Sequence, residues 1–131
     1  YALEHIGHLL ALMDKLENKL EMKGFENAKM YYNMEYYKAA VTSFRNLLSD
    51  FPNSPHREEA LFLKFKAEYR LAENSFEDKK NVRYAEALLF YGEFCAAFPV
   101  SEYKKEADDL AQSIRETLEN RAKSAQSGGI N

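Results

Sequence analysis

The 131-residue chain has no tryptophan, one cysteine, three prolines and five glycines. A lone cysteine excludes an intramolecular disulfide, and so few glycines and prolines cannot supply the tight turns of a many-stranded β fold. A basic surplus is missing too. Eighteen Lys and Arg stand against 21 Asp and Glu for a net charge of −3. With both signs interspersed, the chain offers no field for a phosphate backbone and argues against nucleic acid as a partner. No segment is apolar enough to suggest a membrane span. No charged start leads into an apolar core with a small-residue cleavage site, the pattern of a secretion signal. Opening at Tyr1 without Met and reading as helix by Leu3, the chain is expected to be a mature or truncated piece.

Chemistry-bearing motifs are equally scarce. There is no Gly-rich phosphate loop, no nucleophile elbow and no paired His/Cys spacing for a metal, so neither enzyme, cofactor nor metal centre is expected. His5 and His8 lie three apart on a helical stretch, but no Cys or carboxylate at a matching step completes a site. His56, Arg57, Glu58 and Glu59 follow a Ser-Pro helix start, where first-turn carboxylates favour the helix dipole. Cys95, within Phe94-Cys95-Ala96-Ala97-Phe98, reads as a buried small hydrophobe.

What the chain does have is rings and a repeat. Nine Tyr and nine Phe make 14% of it aromatic, enough to pack helix against helix. Tyr37, Ala40, Phe44, Leu47, Phe51-Pro52 and Ser54 recur as Tyr84, Ala87, Tyr91, Phe94, Phe98-Pro99 and Ser101, each pair 47 residues apart. Such a period marks stacked helical hairpins, each leaving an apolar face that its neighbour covers.

The helical pattern can be followed along the chain. From Leu3 to Met22, Ile6, Leu9, Leu10, Leu12, Met13, Leu16 and Leu20 recur at three- and four-residue steps. Gly24 permits a break or bend, after which the pattern runs on to Asn33-Met34-Glu35. Tyr36 to Asp50 sets Tyr37, Ala40, Val41, Phe44 and Leu47 on one face and Lys38, Thr42 and Arg45 on the other. Pro52 stops that helix, and Ser54 is placed to cap the next with Pro55 at its first position. The helix from Pro55 to Ala72 spreads its apolar residues too widely for one face, which predicts a helix sandwiched between two others. The polar stretch Glu73 to Arg83 reads as an inserted loop or a helix extension. Ser101 caps a last helix through Leu118, and residues 122–131 form a polar tail expected to be disordered.

Set against a 34-residue tetratricopeptide unit, Ala28, Tyr31, Tyr37, Ala40, Phe44, Leu47 and Pro52 fall at its small, aromatic, apolar and proline positions in order. The predicted fold is therefore an all-α, tetratricopeptide-like solenoid of antiparallel hairpins over residues 1–121, with one elongated repeat and a C-terminal capping helix. Small residues at Ala40 and Ala87 let two helices approach closely.

The runs Lys15 to Leu20, Phe25 to Tyr32, Tyr36 to Ala40 and Asp50-Phe51-Pro52-Asn53-Ser54 together resemble the BamD family, tetratricopeptide lipoproteins of the machinery that inserts β-barrels into the bacterial outer membrane. Leu71-Ala72-Glu73-Asn74-Ser75, followed by Arg83-Tyr84, is similar to that family's long repeat, and the resemblance spans residues 12 to 118. It implies a non-enzymatic scaffold at the periplasmic face of the outer membrane, docking the periplasmic arm of the BamA insertase and other subunits of the machinery. The family's lipid-modified N-terminal Cys and its earlier repeats are missing, so the resemblance is to the C-terminal half, with membrane attachment only through a lipid absent from this chain.

The solvated face of Lys38, Thr42 and Arg45 is the candidate contact patch. The alternative is a generic tetratricopeptide adaptor of the bacterial envelope that holds an extended peptide, with Tyr32, Tyr36 and Lys64 as lining residues. Glu77-Asp78-Lys79-Lys80 is a solvated stretch or a further docking element.

Overall fold

The computed structural model describes residues 2–129. Within them the chain forms five helices and no strand: α1 (Ala2–Asn33), α2 (Tyr37–Asp50), α3 (Arg57–Glu73), α4 (Glu77–Ala97) and α5 (Lys104–Gly129). Each helix packs on the next, and α3 lies between α2 and α4. This is the all-α, tetratricopeptide-like array anticipated from the repeat. The sandwiched position of α3 explains its apolar residues all round: Ala60, Leu61, Phe62, Phe65 and Ala67 are all buried.

Local chemistry sets the helix ends. At the end of α1, Glu35 turns left-handed at φ 65°. The amide of Tyr36 then donates to Tyr31 O at 2.9 Å and that of Glu35 to Tyr32 O at 3.0 Å, the paired bonds of a Schellman motif. Helices α2 and α4 stop alike: Phe51 N donates to Leu47 O and Phe98 N to Phe94 O, both at 2.9 Å, before a proline that cannot continue the helix.

The core is built from rings and alanines. Phe44, Phe65, Phe94 and Ile114 are the largest fully buried side chains. Burying each such side chain contributes roughly 2–3 kcal/mol. Ala28, Ala40, Ala60 and Ala87 are fully covered where helices cross, because only a methyl fits between the backbones.

Four expectations change, and one left open is decided. Helix α1 runs unbroken through Gly24, whose missing side chain instead lets α2 close in: a Cβ there would sit 3.3 Å from Leu47 Cδ1. The polar stretch after Glu73 is a helix extension, since α4 starts at Glu77 with Glu77 and Asp78 in its first turn. Helix α3 starts at Arg57 rather than Pro55, because the Ser54 hydroxyl accepts from His56 N at 3.0 Å and closes a turn first; Ser101 does the same with Tyr103 N at 3.1 Å before α5. Residues 122–129, assigned to a disordered tail, continue α5. Arg121 anchors that end through Asn81 Oδ1 and Glu77 Oε2, both at 2.7 Å. Ile130 and Asn131 of the same stretch lie outside the described residues. Cys95, expected to be buried, is only half-buried.

Candidate functional site

Two adjoining clefts open where α2, α3 and the extended start of α4 meet. The larger, of about 890 Å³, is lined by Tyr31, Tyr36 and Tyr37 with Leu71 and Asn74. The smaller, of about 400 Å³, is lined by Arg45, Glu68, Lys79, Val82, Arg83 and Glu86. Lys38, Thr42 and Leu71 line both, so the two form one groove. Its tyrosine end is held by packing, with the rings of Tyr32 and Tyr37 meeting edge-on at 5.7 Å. Burial, then the charge of Glu35, raises the Tyr37 pKa, so the phenol stays protonated and able to donate.

The other end is charged and largely unpaired. Among the described residues Lys38, Arg45, Lys79 and Arg83 make no salt bridge. Arg83 instead donates to Ser75 Oγ at 2.5 Å. Glu68 is almost completely buried. Burial first, and then a hydrogen bond and charge repulsion from Glu86, push its carboxyl up to about 7, against the lowering influence of Arg83 and Arg45. The Glu68 carboxyl therefore carries less negative charge than an ordinary carboxylate. The groove thus presents four cations beside an aromatic cleft.

The candidate residues fare differently. Lys38, Thr42 and Arg45 are exposed and line the groove together, and Tyr36 stands exposed at its mouth. Tyr32 is half-buried behind Tyr37. Lys64 does not line a surface: it is buried, its ammonium 4.2 Å from the Phe90 ring centroid and 2.9 Å from Glu93 Oε2. The helix pattern could not reveal this, because α3 is covered on both sides and Lys64, buried there, needs an anion and a ring rather than water. Arg83 and Glu68 were not singled out in the sequence, whereas Lys79 belongs to the Glu77-Asp78-Lys79-Lys80 stretch read there as solvated or as a docking element. The only signal was their density of charge around the inserted stretch, and it took the fold to bring α4's start beside α2.

A second cluster looks chemical but is architectural. The Ser54 hydroxyl donates to Glu21 Oε2, and His56 Nδ1 lies 2.9 Å from the same oxygen. A serine, a histidine and a glutamate in contact suggest a hydrolase, yet serine and histidine both bond the carboxylate, so the hydroxyl is not handed to the imidazole. The cluster is also duplicated. Ser101 Oγ donates to Glu58 Oε1 at 2.6 Å. His56 stacks on Phe25 at 4.1 Å as Tyr103 stacks on Phe62 at 4.7 Å. Lys29 bonds Glu59 over the Phe25 ring as Lys66 bonds Glu106 over the Phe62 ring. A tyrosine serves where the histidine stands, so this is the clasp between successive units.

Repeated hairpins locked by a repeated clasp, with a groove across their exposed helices, define a helical-repeat scaffold of the tetratricopeptide kind. Residues 6–88 match the family of outer membrane lipoproteins called YfiO, and the chain belongs to that family. Every groove residue named above lies inside the matched segment. A search of curated proteins finds no match. No helix among the described residues is long and apolar enough to cross a membrane.

Proposed function

We propose that the chain is the C-terminal repeat region of a BamD-like lipoprotein, acting at the periplasmic face of the outer membrane as a scaffold that binds the periplasmic region of a BamA-like insertase. The groove carries this reading: Lys38, Thr42, Arg45 and Tyr36 line one concavity with four cations free of ion pairs. Unpaired cations beside an aromatic cleft favour a protein partner that supplies carboxylates and apolar side chains. Membership of an outer membrane lipoprotein family supports the envelope setting.

Titration of the chain with the periplasmic domains of the BamA homologue from the same organism tests this directly. Saturable binding, weakened at least tenfold by Arg45→Glu in a chain that circular dichroism reports as fully helical, is the expected result. A folded chain that binds nothing removes the proposal. The volume and concavity of the tyrosine cleft favour one further reading, an adaptor for an extended peptide. It predicts that Tyr36→Ala abolishes capture of labelled peptides while Arg45→Glu leaves that capture unchanged.

A further inference from the structure

Of the carboxyls lining the groove, Glu68 alone is buried, with 3% of its surface exposed. It forms no salt bridge among the described residues. Charged groups share its cavity from both neighbouring helices: Lys38 and Arg45 from α2, and Asp78, Lys79, Arg83 and Glu86 from α4. On α3 itself Lys64, one turn earlier, is taken by Glu93. Both walls are backed by packed helices, α2 by α1 and α4 by α5.

Two guanidiniums stand near the buried carboxyl without pairing with it. Arg83 donates to Ser75 Oγ at 2.5 Å, and that hydroxyl in turn donates to Leu71 O. Arg45 rests over the Phe90 ring at 5.8 Å. A buried carboxylate would draw such neighbours into an ion pair, because an unpaired charge is costly away from water. Glu68 instead bonds the carboxyl of Glu86. Two carboxyls can share a hydrogen bond only if one of them carries a proton. Burial and the contact with Glu86 hold that proton up to about pH 7, and the exposed side chain of Glu86 gives it a path to water. With the proton in place the pair carries one negative charge and leaves both guanidiniums to an incoming anion. Without it the pair carries two, repels that anion and competes for the same guanidiniums.

We propose that the charged end of the groove receives a carboxylate side chain of its partner between Arg45 and Arg83 only while Glu68 and Glu86 share a proton, so that binding is linked to proton uptake. This rests on the reading of the groove as the partner-binding surface and supplies the chemistry of the contact. The pair keeps its proton in about nine-tenths of chains at pH 6 and about one-tenth at pH 8, so affinity should fall about tenfold between them. No histidine lines the groove, and the carboxylates of a free glutamate peptide titrate near about 4.3, so neither masks the linkage.

Calorimetric titration with the insertase periplasmic domains, and separately with hexaglutamate, reads affinity and proton uptake together when run at pH 6 and pH 8 in buffers of different ionisation enthalpy. The expected result is binding about tenfold weaker at pH 8, with uptake approaching one proton there and little at pH 6. Glu68→Gln gives Glu86 the same hydrogen bond with no proton to lose, and should bind equally at both pH values. Glu86→Gln supplies that bond from the exposed side, and serves if Glu68→Gln loses its helical circular dichroism. Binding of either ligand that is independent of pH, or whose pH dependence both variants retain, overturns the proposal. Hexaglutamate bound with proton uptake by a chain that ignores the insertase domains upholds it and removes the insertase as partner. Binding of neither ligand at pH 6 removes both readings.

Discussion

Ser101 Oγ donates to Glu58 Oε1 at 2.6 Å, and this bond repeats the one between Ser54 and Glu21 one unit earlier. The two serines are 47 residues apart but the two glutamates only 37, so the ten residues that elongate the second unit fall between the clasp's two halves. They lie at the α3–α4 connection, where α4 gains its extra N-terminal turns. The insertion therefore lengthens the hairpin without disturbing the contact between units, and it builds the charged end of the groove.

The clasp should be felt in stability. Glu21 is buried and serves both Ser54 and His56. Glu21→Ala leaves those partners facing a hole and should cost about 2–3 kcal/mol. Glu58 is half-buried, and Glu58→Ala should cost about 1 kcal/mol. Urea unfolding midpoints compare the two, and equal losses would contradict the assignment.

Ala40 is fully covered at the α2 crossing. Ala40→Leu should overpack it and cost about 1–3 kcal/mol, read as a drop in the thermal midpoint. Lys38→Leu, on the exposed face of the same helix, should change the midpoint little.

Glu68 makes stability depend on pH in a defined direction. Its carboxyl ordinarily titrates at 4.5 and in the fold at about 7, pushed up by burial and by Glu86. The folded protein thus binds more protons than the unfolded chain between those values. Stability from this group is complete below pH 4.5 and is lost as pH rises through 7. Glu68→Gln should flatten that slope and leave the variant more stable than the parent at pH 8, by roughly 1–2 kcal/mol. Arg45, Arg83 and Glu86 face the same carboxyl and are kept unchanged in the comparison.

Lys64 carries a charge in a site that is otherwise apolar. Its partner Glu93 is exposed and can return to water when the lysine is gone. Lys64→Met, which retains the packing of the stem against Phe90, should change stability by less than about 1 kcal/mol or raise it slightly. Lys64→Ala should destabilise measurably through lost packing. Chemical denaturation of the pair separates the contribution of charge from that of volume.

Much of this protein was legible in the order of its residues. The 47-residue repeat, the prolines that end α2 and α4, and the three- and four-residue spacing of apolar positions determined the helices and the faces they bury. They did so because helix formation is local and its period is written into consecutive side chains. The exposed patch of Lys38, Thr42 and Arg45 followed from the same rule. Tertiary structure alone decided which neighbour each face meets. Periodicity shows that a position is covered, but the covering residue lies 29 positions away for Lys64 and Glu93 and 33 for Ser54 and Glu21. Only packing turned Lys64 from a surface lysine into a buried one, gave Gly24 its close approach to Leu47 in place of a bend, and brought Lys79 and Arg83 of α4 beside Arg45 of α2 to make the groove.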